Sequence, residues 1–484
     1  MIKYINPLRY EAGGQVMSIL EKIKPNKQGK VLKIIIVGTG KVGTTLTRKL
    51  TDEGCDVTIV DKNREVVDRL SETYDIMGVV GNGSSYSTLI EAGVETADLI
   101  IAVTDSDELN LLCCALANMV GDCASVARVR SPEYTDELSY LRDKLGISLI
   151  INPDLEAAKE ISRILNFPSA ISVNPFAKGS AELIKFKIPD GNVLDGMQLM
   201  NFQRGKGFDV LVCVVERKGE ITIPNGSFRL RAGDIVSFIA TPRDALAFFR
   251  KINIETHRVS SAMIIGGGRT SFYLARRLVK AGVAVKIIEI NAKRCEELSE
   301  LLPDEVVIVN GNGTDENLLT EENIARTGAL IPLTGIDEEN VILSLYGMKA
   351  APGIKAITKV NHINFSNVIN ELELGSVVYP RHITAEMIIK YVRAKKKTLE
   401  SDIETLYYMY GGRVEAIEFN VHPKFEQTNV PLKDMRLKSN LLIACIYRDG
   451  KAFIPGGNDV FRAGDSVTIV TSRAGLSSIE EIFE

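Results

Sequence analysis

Two short stretches carry the residue types best suited to binding chemistry: Gly38-Thr39-Gly40-Lys41-Val42-Gly43 and Gly266-Gly267-Gly268-Arg269-Thr270-Ser271. Each follows an apolar run, residues 31–37 and 261–265. A strand that enters a helix through such a turn leaves backbone N–H groups at the helix start without intrahelical partners, and the missing side chains let a diphosphate reach them. Gly38 suits the tight turn, Gly40 the close approach, and Gly43 the packing of helix on strand. Each first glycine is followed 23 residues later by an acid that closes another apolar run, Asp61 after residues 57–60 and Glu289 after 285–288. A carboxylate there accepts hydrogen bonds from ribose hydroxyls and repels a 2′-phosphate, which favours NAD(H) or an unphosphorylated adenosine ribose over NADP(H). Ser271 replaces the third glycine of the second turn. Lys41 and Arg269 each come one residue after the second glycine. A cation there can meet a terminal phosphate or simply extend into solvent at the helix start.

The elements needed to position these groups are legible as alternating strands and helices. Strands are expected near 31–37, 56–60, 76–80, 98–103, 124–129 and 147–151, with helices starting near Lys41, Asn63, Tyr86, Ser106 and Pro132. Such alternation implies a parallel doubly wound sheet whose ligands lie beyond the strand C-termini. A connecting helix is expected over 153–166 and, in the second half, over 383–396. Beyond each come alternating strands such as 210–215 and turns such as Arg217-Lys218-Gly219, which read as a small β-rich module.

The chain is a duplication. The glycine turns repeat at an offset of 228 residues. Gly81-Asn82-Gly83 recurs as Gly311-Asn312-Gly313, and the run from Thr104 to Asn110 recurs from Thr334 to Asn340, both at 230. Arg231-Ala232-Gly233-Asp234 recurs as Arg462-Ala463-Gly464-Asp465 at 231. Landmarks in constant order at a nearly constant offset mark an internal repeat. The predicted class is therefore α/β: two tandem Rossmann-like doubly wound parallel sheets, each followed by a small α+β lobe. The expected segments are a leader over 1–30, a first Rossmann domain over 31–168, a first C-terminal lobe over 169–256, a second Rossmann domain over 257–400 and a second C-terminal lobe over 401–484. Residues 1–30 read as a frayed extension or an upstream start, with Met17 as an alternative.

Composition narrows the function classes. The 484 residues are 45% hydrophobic and 25% charged, as in an ordinary globular protein. No apolar stretch reaches the roughly 18 residues of a membrane helix, so the chain is not expected to be a channel or transporter itself or to insert directly in a membrane. A net charge of −4 and a pI near 5.9 offer no basic footprint for nucleic acid. The seven cysteines show no C-x-x-C and no metal spacing and read as buried free thiols in a reducing cytoplasm. No metal site is expected. Asn82 and Asn312 fit ordinary tight turns better than an adenine contact. The acids Asp105, Asp107 and Glu108 fit an acid-rich helix start better than a metal or acid–base pair.

The runs 79–84, 97–108 and 127–134, together with the duplicated layout, resemble the TrkA family of RCK-domain proteins, the cytosolic regulatory subunits of bacterial Trk potassium uptake systems. The resemblance covers residues 31–484. It implies RCK architecture in each half, a homotetramer whose eight Rossmann lobes form a ring, and a position at the inner face of the cell membrane on a separate Trk-type potassium transporter. It also implies NAD(H), with ATP and ADP as further ligands, as modulators of transport. The family's binding pattern carries over to Gly38, Thr39, Gly40, Lys41, Val42, Asp61, Thr104, Asp105 and Arg128. In the second half it carries over to Gly266, Gly267, Gly268, Arg269, Thr270, Glu289 and Thr334, while Gly335 replaces Asp105 and Lys359 replaces Arg128. Thr104, at the end of the fourth strand, is expected to turn its hydroxyl and free backbone groups toward the ligand. Arg128, at the end of the fifth, is placed either to reach phosphate or to fix Asp105 in a structural ion pair.

The alternative is an NAD-dependent oxidoreductase acting on a small molecule. That chemistry needs an acid or base near the hydride-transfer position. The four histidines, His257, His362, His382 and His422, lie outside the first half's motifs and do not recur at the repeat offset. No P-loop lysine accompanies the glycines. No catalytic residue is therefore expected, and the chain reads as a regulator rather than an enzyme.

Overall fold

The computed structural model describes residues 31–484 except 136, 203–207, 255, 257–258, 362–371, 373, 397–402, 474 and 477. The leader, His257 and His362 lie outside the described residues.

In the first half, strands β1 (Lys33–Val37), β2 (Asp56–Asp61), β3 (Met77–Val80), β4 (Leu99–Ala102), β5 (Ala124–Arg128) and β6 (Leu149–Ile151) form one parallel sheet in the order β3-β2-β1-β4-β5-β6. Between them run helices α1 (Lys41–Asp52), α2 (Arg64–Tyr74), α3 (Tyr86–Glu91), α4 (Asp107–Val120), the short α5 (Pro132–Thr135) and α6 (Leu138–Leu145). The strand order reverses between β1 and β4, and ligands in such sheets sit at that reversal. β1 and β4 are apolar and almost wholly buried because helices cover both faces of a parallel sheet. The helix starts follow from local chemistry: Asn63 accepts from Val66 N and Ser106 from Leu109 N as N-caps.

The second half repeats this arrangement. Strands β12 (Ser261–Ile265), β13 (Ala284–Glu289), β14 (Val306–Asn310), β15 (Ala329–Pro332), β16 (Lys355–Lys359) and β17 (Ser376–Val378) order as β14-β13-β12-β15-β16-β17. Its helices are α9 (Arg269–Lys280), α10 (Ala292–Leu301), α11 (Glu316–Glu321) and α12 (Asp337–Ala350). Connecting helix α7 spans Pro153–Asn166 as expected. Its counterpart α13 spans Pro380–Lys396, three residues longer at its start than the sequence suggested, because Pro380 is compatible with a first helical turn that needs no N–H donor.

The smaller modules are antiparallel sheets of identical topology. The first contains β7 (Ser172–Phe176), β8 (Ala181–Lys187), β9 (Leu211–Arg217), β10 (Glu220–Thr222) and β11 (Ile235–Ala240), ordered β10-β9-β11-β8-β7, and ends in helix α8 (Pro242–Lys251). The second contains β18 (Ile403–Met409), β19 (Val414–Asn420), β20 (Leu441–Arg448), β21 (Lys451–Phe453) and β22 (Ser466–Thr471), ordered β18-β19-β22-β20-β21. The repeated Arg-Ala-Gly-Asp turn is structural in both. Buried Asp234 accepts from Arg231 N at 2.8 Å and from Arg217 through two bonds of 2.7 Å; Asp465 accepts from Arg462 N at 2.7 Å and from Arg448 at 2.7 and 2.6 Å. Such two-pronged pairs fix direction as well as distance.

The chain divides into two compact units, and each draws on both halves. One holds the described residues of Lys22–Leu165 and Val259–Thr398, the two Rossmann lobes. The other holds those of Asn166–Arg258 and Leu399–Glu484, the two β-modules. In the Rossmann unit the connecting helices are exchanged. Ala157 and Ile161 of α7 share an apolar core with Phe272 and Leu278 of α9, and α13 packs on α1, where Arg393 pairs with Glu53. In the β unit, Phe176, Leu183 and Cys213 of the first module pack with Val414, Cys445 and Val470 of the second.

Candidate functional site

The first glycine turn is built by the flush ends of β1 and β2. Val37 pairs with Val60, and Gly38 N donates to Val60 O at 2.9 Å, so the turn leaves the sheet beside Asp61. Gly38 has φ +95°, a region open to glycine, and a Cβ on it would stand 2.8 Å from Thr104 N. A Cβ at Gly43 would stand 1.9 Å from Gly38 O, so α1 lies directly on the turn. Gly40 differs from both. Its φ is −61° and a Cβ there would meet nothing within 4 Å, so neither conformation nor packing inside the chain calls for glycine. Glycine at this place of a strand–turn–helix unit leaves the backbone open to a close approach. Gly40 also N-caps α1 with no side-chain hydrogen bond at the cap.

Asp61 is held by the turn itself. Its Oδ2 accepts from Thr39 N at 2.6 Å and Thr39 Oγ1 at 2.8 Å, and its Oδ1 accepts from Asn63 N at 2.9 Å. Partial burial pulls its carboxyl upward, but the hydrogen bonds from Asn63 and Thr39 outweigh it and hold the group below the usual carboxylate range. It is an ionised acceptor at neutral pH, as a ribose partner must be.

Thr104 departs from the expectation. Its N–H and hydroxyl both donate to Asn110 Oδ1, at 2.8 and 2.7 Å, and its carbonyl accepts from Asn110 Nδ2 at 3.1 Å and from Arg128 Nη2 at 2.5 Å. Its backbone groups are therefore not free to face a ligand; the fully buried Asn110 on α4 satisfies them because an unpaired polar group at the sheet end would be costly. Arg128 takes the structural role, its Nη2 lying 3.2 Å from Asp105 Oδ1. Asp105 itself is fully solvent-exposed, and the amides of Arg130 and Ser131 bind Asp107 instead. Lys41 is exposed at the first position of α1, and Val42 is buried beneath it.

At the second turn, Gly266 has φ +98° and Gly266 N donates to Ile288 O at 2.8 Å. Gly267 N donates to Glu289 Oε2 at 2.5 Å, and Asn291 N to Glu289 Oε1 at 2.8 Å. Gly268, like Gly40, has no neighbour within 4 Å of an added Cβ. Ser271 is buried and turns the loss of the third glycine into a bond, its Oγ donating to Gly266 O at 2.5 Å. Thr334 N donates to Asn340 Oδ1 at 2.9 Å, and Lys359 Nζ donates to Leu333 O at 2.8 Å, so Lys359 carries a backbone-fixing bond where Arg128 carries one in the first half. Arg269 is exposed at the start of α9, and Thr270 is buried against the other lobe.

Asn82 and Asn312 serve their turns. Each Oδ1 accepts from the residue two positions on, Ser84 or Thr314. The following glycines lie on the ends of β1 and β12, where a Cβ would meet Val37 or Ile265 at 2.2 Å. Asn110, Asn340, Arg130 and Tyr273 were missed as positioning residues. A buried asparagine repeated at the offset of 230 was the signal available for the first two.

His382 lies in α13, pushed down to about 4 by burial with help from Lys49 and Arg381, and His422 follows β19. All seven cysteines are free; six are buried, and burial pushes Cys113 and Cys445 up to about 12. Among the described residues no helix is long and apolar enough to cross a membrane, and no cluster of three metal-ligating side chains occurs.

Comparison with known proteins bears on both halves. The model of the TrkA-N domain matches residues 34–153 and 262–380, and that of the TrkA-C domain matches 183–253 and 428–484. The chain is 30% identical over 461 residues to the Trk system potassium uptake protein TrkA of Haemophilus influenzae, covering 94% of this chain and 99% of that one. It is 32% identical over 453 residues to the Trk system potassium uptake protein TrkA homolog of Archaeoglobus fulgidus, covering 93% and 100%. Among solved structures, the GsuK RCK domain aligns with a TM-score of 0.60 at 18% identity, covering 95% of each chain. The GsuK channel bound to NAD aligns at 0.59 and 18%, covering 95% of this chain and 79% of that one. At such identities the structural likeness concerns the fold.

Proposed function

Because this chain belongs to the TrkA family, we propose that it is the nucleotide-binding regulatory subunit of a Trk-type potassium uptake system, gating a separate membrane transporter in response to NAD(H), ATP or ADP. The observation that carries the reading is the first turn: an uncapped helix start behind Gly40, open to approach, beside an ionised Asp61 fixed by Thr39. Gly38 to Val42 would hold the diphosphate through backbone amides, Lys41 would meet its outer charge, and Asp61 would accept from the adenosine ribose. Thr104, Asp105 and Arg128 form the wall at the end of β4, with Thr104 and Arg128 bonded into the protein and Asp105 facing solvent. The second turn, Gly266 to Thr270 with Glu289 and Thr334, repeats the backbone of such a site with different side chains around it.

Four copies would bring eight Rossmann lobes into a ring on the cytoplasmic face of the membrane. The segments 31–168 and 257–400 would form that ring, and 169–256 and 401–484 the C-terminal lobes. The exchanged helices α7 and α13 suit this role, since each ties one lobe's turn region to the other lobe, so that a ligand at one turn can bias the angle between them. A ligand shifts such an equilibrium only by its differential affinity for the two states. The chain would act as a non-catalytic switch.

Potassium flux through the reconstituted transporter complex tests this. Flux is expected to differ between NADH, NAD, ATP and ADP; flux indifferent to all four would sink the reading. Stoichiometric turnover of NADH with a small substrate by the purified chain would replace it with the oxidoreductase.

A further inference from the structure

The start of α9 carries a side chain from the other lobe. Asp154, the second residue of α7, belongs to the first half, yet its Oδ1 accepts from Thr270 Oγ1 at 2.6 Å and its Oδ2 lies 3.8 Å from Arg269 Nε. Thr270 and Arg269 are the first two residues of α9, directly after Gly268. Lys359, at the end of β16, is a further cation within electrostatic reach of the same carboxylate. The placement is firmly held. Asn152 Nδ2 donates to Tyr273 Oη at 2.9 Å, and Tyr273 Oη donates to Arg130 O at 3.0 Å. Behind them, Ala157 and Ile161 share the buried core with Phe272.

A helix N-terminus favours an anion, and this one already has one, supplied within the chain. The repeat makes the contrast sharp. The residue equivalent to Asp154, 227 positions on, is Arg381 at the start of α13. Among the described residues its Nη2 is buried without a hydrogen-bond partner. α13 runs along α1, with Glu386 within electrostatic reach of Lys49 and Arg393 paired to Glu53. The lobe exchange therefore delivers a carboxylate to the start of α9, and the matching position of the other connecting helix carries a guanidinium.

We propose that Asp154 is an internal anion that closes the second glycine turn to phosphate-bearing ligands and so confines nucleotide to the turn at Gly38. This rests on reading the glycine turns as nucleotide sites. A diphosphate arriving at α9 would have to displace a hydrogen-bonded carboxylate and would then face it at close range. Like charges so juxtaposed cost several kcal/mol, which weakens binding by about 100-fold or more.

Calorimetric titration of the full chain with ADP decides it. The wild type is expected to bind ADP at the first turn alone, with that binding weakened about 30-fold in Asp61→Ala. Asp154→Asn removes the charge but keeps an acceptor for Thr270, and Asp154→Ala removes both. A second ADP per chain in either variant, retained with Asp61→Ala and abolished by Glu289→Ala, supports the proposal. ADP already bound at both turns of the wild type overturns it, as does unchanged stoichiometry in an Asp154→Asn protein whose thermal unfolding matches the wild type. If Asp61→Ala binds like the wild type while Asp154→Asn gains a Glu289-dependent ADP, the assignment of the first site fails and the closure of the second stands.

Discussion

The two glycine turns share a backbone and differ in what surrounds it. Gly38 and Gly266 sit at φ +95° and +98°, and both first amides bond to the neighbouring strand. At the first turn Thr39 gives Asp61 two bonds, through its amide and its hydroxyl; at the second, Gly267 gives Glu289 one, and Arg294 on α10 fixes the Gly267 carbonyl at 2.8 Å. The first turn is packed by the absence of a Cβ at Gly43, the second by the hydroxyl of Ser271. Duplication has preserved the main-chain device while the side chains that set its charge and stiffness have diverged.

The sharpest break of this comparison is Gly43→Ala. A Cβ within contact of the Gly38 carbonyl should cost about 3 kcal/mol in denaturant unfolding, because α1 must lift from the turn. Ser271→Ala, which loses one hydrogen bond, should cost about 1 kcal/mol. Equal costs would mean that the two turns are packed alike.

Asp61→Ala should weaken nucleotide binding at the first turn by about 2 kcal/mol, measured by calorimetry, since it removes both a charged acceptor and the brace on Thr39. Unaltered affinity would remove Asp61 from the site.

The seams of the exchanged helices differ in pH response. Burial pushes Glu386 on α13 up to about 8 despite Lys49, whereas its repeat equivalent on α7, Lys159, pairs with Glu156 at 2.7 Å. A carboxyl whose folded pKa lies above its unfolded value contributes stability that is complete below the unfolded pKa, near 4.5, and is lost as pH rises through about 8. Glu386→Gln has no such proton to lose. Between about pH 5 and pH 9 the stability of the wild type should therefore fall by roughly 4 kcal/mol relative to the variant, read from paired denaturation curves. Parallel curves would show that Glu386 titrates normally.

The smallest difference concerns the buried asparagines. Asn110 binds the amide, hydroxyl and carbonyl of Thr104, and its Nδ2 also donates to Arg128 O at 2.8 Å. Asn340 makes the same set without the hydroxyl bond, which Thr334 spends on Ile336 O at 3.1 Å. Asn110→Ala should exceed Asn340→Ala in destabilisation by about 1 kcal/mol. A reversed order in chemical denaturation would contradict the accounting.

Much of the fold was readable because its signals are local. Apolar runs and glycine turns placed β1, β2, α1, β12, β13 and α9 correctly, and Asn63 and Ser106 announced helix starts by capping chemistry. The placement of Thr104 was readable, but its availability was not. A threonine at a sheet end looks free until Asn110, six residues later, folds back over it. Arg128 illustrates the same limit, because only the approach of β4 and β5 shows that it binds Thr104 O and Asp105. Asp154 was invisible as part of any site, since its partner Thr270 is 116 residues away and in the other half.

What the sequence determined by itself is the repeated strand–turn–helix unit and the acid at its second strand, because periodicity, glycine conformations and flush strand ends act over a few tens of residues. What only the tertiary structure decided is the charge each turn meets. That depends on the exchange of α7 and α13 between lobes, which brings Asp154 to the second turn and lays α13 along α1, and burial of their apolar faces drives that exchange regardless of which ions ride on the helix ends.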